Sequence, residues 1–127
     1  MKFITGGAYQ GKKDFAIKYL NINKKDIYDG SIYNINKILN SKCVTNYHFF
    51  IKNLILKDID PVEFTKKLAT KNIVIIMDEI GCGIVPIDKD ERFWREMCGK
   101  CGCIIAENSE TVVRVICGIG VVIKGKL

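Results

Sequence analysis

The chain has 127 residues, 48% hydrophobic and 27% charged, with 20 basic against 14 acidic side chains for a net charge of +6. That is the composition of an ordinary globular domain, expected to span residues 1–127 as one unit, and no apolar run approaches the ~18 residues that a membrane span needs. The lysines are scattered among Asn, Asp and Ile instead of forming a stripe, which argues against nucleic acid as a partner and suits a small anionic ligand.

Lys2 to Thr5 reads as a short buried strand, and the stretch GGAYQGKKD at 6–14 follows it directly. Asp14, Phe15, Ala16, Ile17, Tyr19 and Leu20 then form an amphipathic helical pattern. Strand, glycine-rich turn and helix in this order make a phosphate-binding loop. Consecutive backbone N–H groups from Gly6, Gly7, Ala8 and Gly11 onward can curl around phosphate oxygens at a helix start, and Lys12 can reach the terminal phosphates. A purely structural glycine turn is the alternative.

The position after Lys12, where a P-loop carries Ser or Thr, is Lys13. An ammonium group has no lone pair for a metal. Magnesium must then be held by other groups, such as Asp78 or Glu79 through water, or the site handles phosphate without ordinary phosphoryl transfer. Lys13 can also simply point into solvent.

Residues 21–46 are rich in Asn, Lys and Asp, with a turn at Asp29-Gly30 and a weak helix at Ile35 to Leu39. Tyr47, Phe50, Ile51, Leu54 and Ile55 recur at helical spacing, and a second helix starts at Asp60-Pro61, with Glu63 placed as in a capping box, and runs to Thr70. His48, the sole histidine, sits in the first of these helices. It reads either as a buried ring with a hydrogen bond or as the one imidazole available for nucleophilic chemistry.

Asn72 to Met77 is a continuous β-branched run of the kind found in a parallel sheet covered on both faces. Asp78-Glu79 ends it in the manner of a Walker B element, whose carboxylate faces a phosphate-bound metal. Asp88 and Glu91 open a further helix that continues past Cys103 toward Asn108. TVVRVIC and VVIK close the chain as two strands split by Gly118-Ile119-Gly120. Strands alternating with helices predict an α/β fold with a mainly parallel central sheet, of the three-layer, RecA-like P-loop NTPase kind.

The six cysteines, with no secretory leader in view, are expected as free thiols in a cytoplasmic protein. Cys98, Cys101 and Cys103, with Cys82, admit a soft-metal reading. On a helix, however, 98 and 101 share a face that 103 leaves, so packing thiols and no metal site are expected.

Four blocks in order, GGAYQGKKD, DEIGCGIVP at 78–86, RFWREMCGK at 92–100 and RVICGIGVVIKGKL at 114–127, resemble the adenosylcobinamide kinase and adenosylcobinamide-phosphate guanylyltransferase family of cobalamin biosynthesis. The resemblance covers the two ends of the chain and leaves the middle unaligned. It implies a bifunctional transferase that uses GTP or ATP, with Mg2+, on adenosylcobinamide or its phosphate. GMP would pass through a histidine phosphoramidate.

The resemblance carries Gly6, Gly7, Gly11 and Lys12 to the nucleotide loop, and Glu79 to the acidic position of the second motif. It carries Gly81, Gly83 and Pro86 to the loop shaping the site, and Arg92 and Arg95 to phosphate-meeting positions of the following helix. His48 matches the family's histidine by region, not by motif. The chain is shorter than typical members, and the missing material falls in that same interval. A homo-oligomer, a trimer by the same resemblance, is expected. The alternative is a catalytically impaired nucleotide-binding protein with a sensing or scaffolding role.

Overall fold

A computed structural model describes residues 1–81 and 87–127. Cys82, Gly83 and Pro86, read above as a metal-ligand candidate and as residues of the loop shaping the site, lie outside the described residues. Six strands form one sheet in the order β2-β3-β4-β1-β5-β6, with β1 through β5 parallel and β6 antiparallel to β5. The elements along the chain are β1 (Lys2–Gly6), α1 (Lys12–Tyr19), a 3-10 turn (Lys24–Asp26), β2 (Ile27–Asp29), α2 (Ile35–Leu39), β3 (Cys43–Thr45), α3 (Tyr47–Leu56), α4 (Pro61–Leu68), β4 (Val74–Asp78), α5 (Lys89–Asn108), β5 (Thr111–Ile116) and β6 (Ile119–Lys124). This is the expected three-layer α/β architecture of P-loop NTPase type.

The uniformly apolar central strands follow from the two-sided cover. Successive side chains of a strand point to opposite faces. Phe3, Val44, Ile75, Met77 and Val112 accordingly join one core with residues of α3, α4 and α5. Ile4, Cys43, Val74, Ile76, Val113 and Val115 join the other, with Phe15 and Ala16 of α1. The run from Ile73 to Met77 must be apolar at every position because neither face meets water.

On the first face, the fully buried Tyr47 satisfies its hydroxyl against Thr65 Oγ1 at 2.7 Å, as a buried phenol requires. Asp60 caps α4 by accepting from Val62 N and Glu63 N, and Asp88 caps α5 from Asp90 N and Glu91 N. The capping-box expectation holds only in part. The Glu63 carboxylate turns to Lys66 instead of back to the cap.

Three other expectations need correction. The interval 21–46 holds the expected turn after Asp29 and the expected helix at Ile35–Leu39, but it also contributes two strands that were not expected, β2 at the sheet edge and β3 beside it. At three residues each they are too short to carry a periodicity, and pairing within the sheet selects them. The helix after the glycine loop buries only Phe15 and Ala16 among its apolar residues and leaves Tyr19 exposed. The last strand starts at Ile119, so Cys117 and Gly118 alone make the hairpin turn, with φ of 50° and 78°. Two consecutive positive φ values suit the right-handed twist of the strands they join.

Candidate functional site

All parallel strands end at the same edge of the sheet, so Gly6, Asp29, Thr45 and Asp78 stand at neighbouring strand ends. Above them opens a cavity of about 490 Å³ lined by the glycine-rich loop from Ala8, the first residues of α1, Ile27, Asp29, Thr45, Asn46, Phe49 and Asp78. Crevices outside the carboxyl ends of parallel strands are where α/β folds bind ligands.

The loop is built by close backbone approaches. Gly6 has φ 148°, and a Cβ there would stand 2.4 Å from the Val115 carbonyl oxygen. Gly11 precedes α1 in the left-handed region, at φ 86°, and offers no side-chain cap. The first-turn N–H groups of α1 therefore carry no side-chain cap, and Asp14, the carboxylate of that turn, lines the same cavity. Gln10 fastens the loop to the β5–β6 turn: its carbonyl accepts from Gly118 N at 2.7 Å, and its Oε1 accepts from Cys117 N at 2.7 Å.

Lys12 is only 7% exposed. Its Nζ donates to the Gly7 carbonyl at 2.6 Å and pairs with Asp78 Oδ1 at 2.7 Å. Behind this pair sits His48, 1% exposed. The Asp78 backbone N–H donates to His48 Nδ1 at 3.1 Å, while Nε2 lies 3.4 Å from Asp78 Oδ2 and has no hydrogen-bond partner among the described residues.

An Nδ1 that accepts is unprotonated, so the neutral ring carries its proton on Nε2. Burial holds the imidazole below its ordinary pKa of 6.5; Asp78 pulls it upward and Lys12 pushes it down. The His48 carbonyl in turn accepts from Trp94 Nε1 at 2.7 Å and from the Cys98 thiol.

Lys13 is exposed and lines the cavity, and its charge acts on Asp29 and Cys43. Glu79 stands elsewhere. Its carboxylate takes a bidentate pair from Arg114 Nε and Nη2 at 2.8 and 3.0 Å. It lines a second, smaller cavity of about 270 Å³ together with Asp78, Gly81 and Arg95. Arg92 is exposed and donates to the Ile87 carbonyl at 3.0 Å. Of the expected residues, the structure brings Ala8, Gly11, Lys12, Lys13 and Asp78 to the larger cavity, with Gly6 and Gly7 beneath it and His48 behind. Glu79, Arg92 and Arg95 do not line it.

Cys98 and Cys101 are buried, their thiols donating to the His48 and Pro61 carbonyls, and Cys103 is exposed. Burial pushes the Cys101 thiol up to about 11. Among the described residues no three His, Cys, Asp or Glu side chains group as a metal site.

Sequence reasoning missed Asp29, Asn46, Phe49 and the anchoring role of Gln10. The one available signal was Asp29-Gly30, read as a turn and nothing more. The Phe49 ring stacks on Trp94 at 6.1 Å and 13° and forms an aromatic wall of the cavity. Residues 35–123 match the family described as cobinamide kinase / cobinamide phosphate guanyltransferase, which is more than half of the chain. The matched range takes in the middle that the sequence resemblance left out and begins beyond the glycine-rich loop. No curated protein matches the chain.

Proposed function

The chain belongs to the cobinamide kinase / cobinamide phosphate guanyltransferase family, and from that premise we propose that it binds a nucleoside triphosphate, ATP or GTP, at the 6–13 loop and transfers its terminal phosphoryl group to the hydroxyl of adenosylcobinamide. One observation carries this reading. Lys12 Nζ is held inside the rim of the cavity by Gly7 O and Asp78, a short swing from where backbone N–H groups would cradle phosphates. Its exchange of one anionic partner for another keeps the ammonium paired throughout.

Asp78 is the acidic group suited to the nucleotide's Mg2+, through water, since Glu79 is tied to Arg114. Magnesium would neutralise charge on the phosphates. Lys13, which replaces the hydroxyl ligand, adds a second cation at the phosphate end of the cavity. Transition states of this chemistry carry negative charge on the transferred oxygens, so two lysines and the α1 N-terminus are placed to stabilise it.

The second family activity, GMP transfer through a histidine, has less support. A phosphoramidate needs an unprotonated nitrogen facing the α-phosphate, whereas His48 accepts a backbone N–H at Nδ1 and carries its proton at Nε2. We assign it the orientation of Asp78, which departs from the role expected from the sequence. A nucleotide-binding protein without turnover is the second reading, favoured by Lys13. We also propose self-association, as a trimer. Ile119, Val121 and Ile123 are exposed on the edge strand β6, an apolar edge that soluble proteins cover or charge. A solution mass equal to the single-chain 14.4 kDa would count against it.

Calorimetric titration with ATP or GTP and Mg2+ tests the site. Lys12→Ala should weaken binding about 100-fold, roughly 3 kcal/mol, because of the two lysines at the phosphate end it removes the buried one, whose charge acts from a largely desolvated position. Equal affinities for the wild type and a folded variant would move the phosphate site elsewhere.

A further inference from the structure

Asp29 ends β2 with its two carboxylate oxygens in different circumstances. Oδ1 accepts three hydrogen bonds, from Ser31 N at 3.0 Å, Ser31 Oγ at 2.8 Å and Asn46 Nδ2 at 3.1 Å. Oδ2 accepts none from the described residues, and the residue lines the same cavity as Lys12, Lys13 and Asp78. The Ser31 bonds are those of an ordinary Asx turn.

Asn46 goes further. It is the N-cap of α3, a position where asparagine normally bonds the helix's own N–H groups. Here it adopts the left-handed region, φ 56° and ψ 38°, makes no capping bond and sends its amide to Asp29 instead. Gly30 lets the chain press onto the end of β3, since a Cβ would meet the Thr45 and Asn46 carbonyl oxygens at 2.9 and 3.0 Å. Three hydrogen bonds from two residues thus fix one oxygen of this cavity-lining carboxylate and leave the other without a partner among the described residues.

We infer that Asp29 is the catalytic residue that receives the acceptor alcohol, its Oδ2 hydrogen-bonding the attacking hydroxyl and taking the proton as the new O–P bond forms. The inference rests on the phosphoryl-transfer reading. The hydroxyl oxygen bonds to the terminal phosphorus, the bond from that phosphorus to the bridging oxygen breaks, and its electron pair leaves with the nucleoside diphosphate. The hydroxyl proton passes to Asp29 and then to solvent.

Distances across the sheet suit this. β2 lies two strands from β4, roughly 10 Å at the ordinary strand spacing, which leaves room for a phosphoryl group and an alcohol between Asp29 and the Lys12–Asp78 pair. Burial alone would raise the Asp29 pKa, but the Asn46 and Ser31 hydrogen bonds and the Lys13 charge outweigh it and hold it below 3.8. It is therefore ionised at neutral pH, an acceptor ready for a hydroxyl. A base this weak is sufficient where the transition state is loose and charge on the nucleophile develops late.

The test is transfer from terminally labelled ATP or GTP to adenosylcobinamide, run on the wild type and Asp29→Asn. The variant should lose about 100- to 1,000-fold in turnover, with nucleotide affinity and melting temperature unchanged. Turnover within a few-fold of wild type would overturn the role of Asp29 alone. So would a loss accompanied by equal losses of nucleotide affinity and melting temperature, which would make Asp29 a structural turn residue. A wild type that transfers nothing would overturn the phosphoryl-transfer reading, and this inference with it.

Discussion

His48 directs both ring nitrogens at one aspartate, and its titration is a property of the site. Its folded pKa is depressed, so between that value and 6.5 the unfolded chain binds a proton that the native protein does not. Stability then rises with pH across this window and is fully present above 6.5. Acidification from pH 7.5 to 5 should lower the chemical-denaturation midpoint of the wild type. His48→Gln, which keeps an acceptor for Asp78 N–H and removes the titration, should show a flatter profile over that range. Equal slopes for the two proteins would show that the imidazole is not buried neutral. Asp29, held below 3.8, contributes in a separate window and loses its share only in stronger acid. At this scale the sequence was informative about residue types and poor about partners. Lys12 and Asp78 were recognisable from their motifs. Which of two adjacent acids faces the lysine was decided by Arg114, 35 residues away from Glu79 and on another strand.

The glycine-rich loop depends on an element at the other end of the chain. Gln10 accepts from both residues of the β5–β6 turn, Cys117 and Gly118. On the same strand, Gly120 leaves space for the Phe15 ring, which a Cβ would approach to 2.3 Å. The hairpin therefore holds both the loop and the helix that follows it. Gln10→Ala removes the Oε1 acceptor and leaves the Gly118 N–H bond to the main chain. One net hydrogen bond is worth about 1 kcal/mol, so nucleotide affinity should fall roughly fivefold in calorimetry with a small change in melting temperature. Unchanged affinity would mean that the hairpin does not order the loop. The long elements were legible because NIVIIM and the 47–55 periodicity each carry enough residues to show a pattern. β2 and β3 were not, since Cys43–Thr45 becomes a strand only beside β4, and Ile27–Asp29 only beside β3. The two residues that complete the cavity, Asp29 and Asn46, sit on those short strands or just after them, so the part of the site that sequence missed is the part built by tertiary pairing.

At the scale of the whole molecule, the family match begins at residue 35 and the glycine-rich loop lies before it. The fold reunites them. β1 pairs with β4 in a register that sets Gly6 opposite Asp78, and Glu79 N donates to the Gly6 carbonyl at 2.9 Å. We propose that phosphoryl transfer takes place at this joined edge, with Lys12 and Asp78 on one side and Asp29 on the other. The direct measurement is a comparison of two labels on GTP, in the terminal and the α position, each incubated with Mg2+, adenosylcobinamide and the protein. Terminal label is expected on the cobinamide product, dependent on Lys12, with no acid-labile label left on the protein from the α position. Terminal label that stays entirely on nucleotide or free phosphate, together with α-label bound covalently at His48, would contradict it.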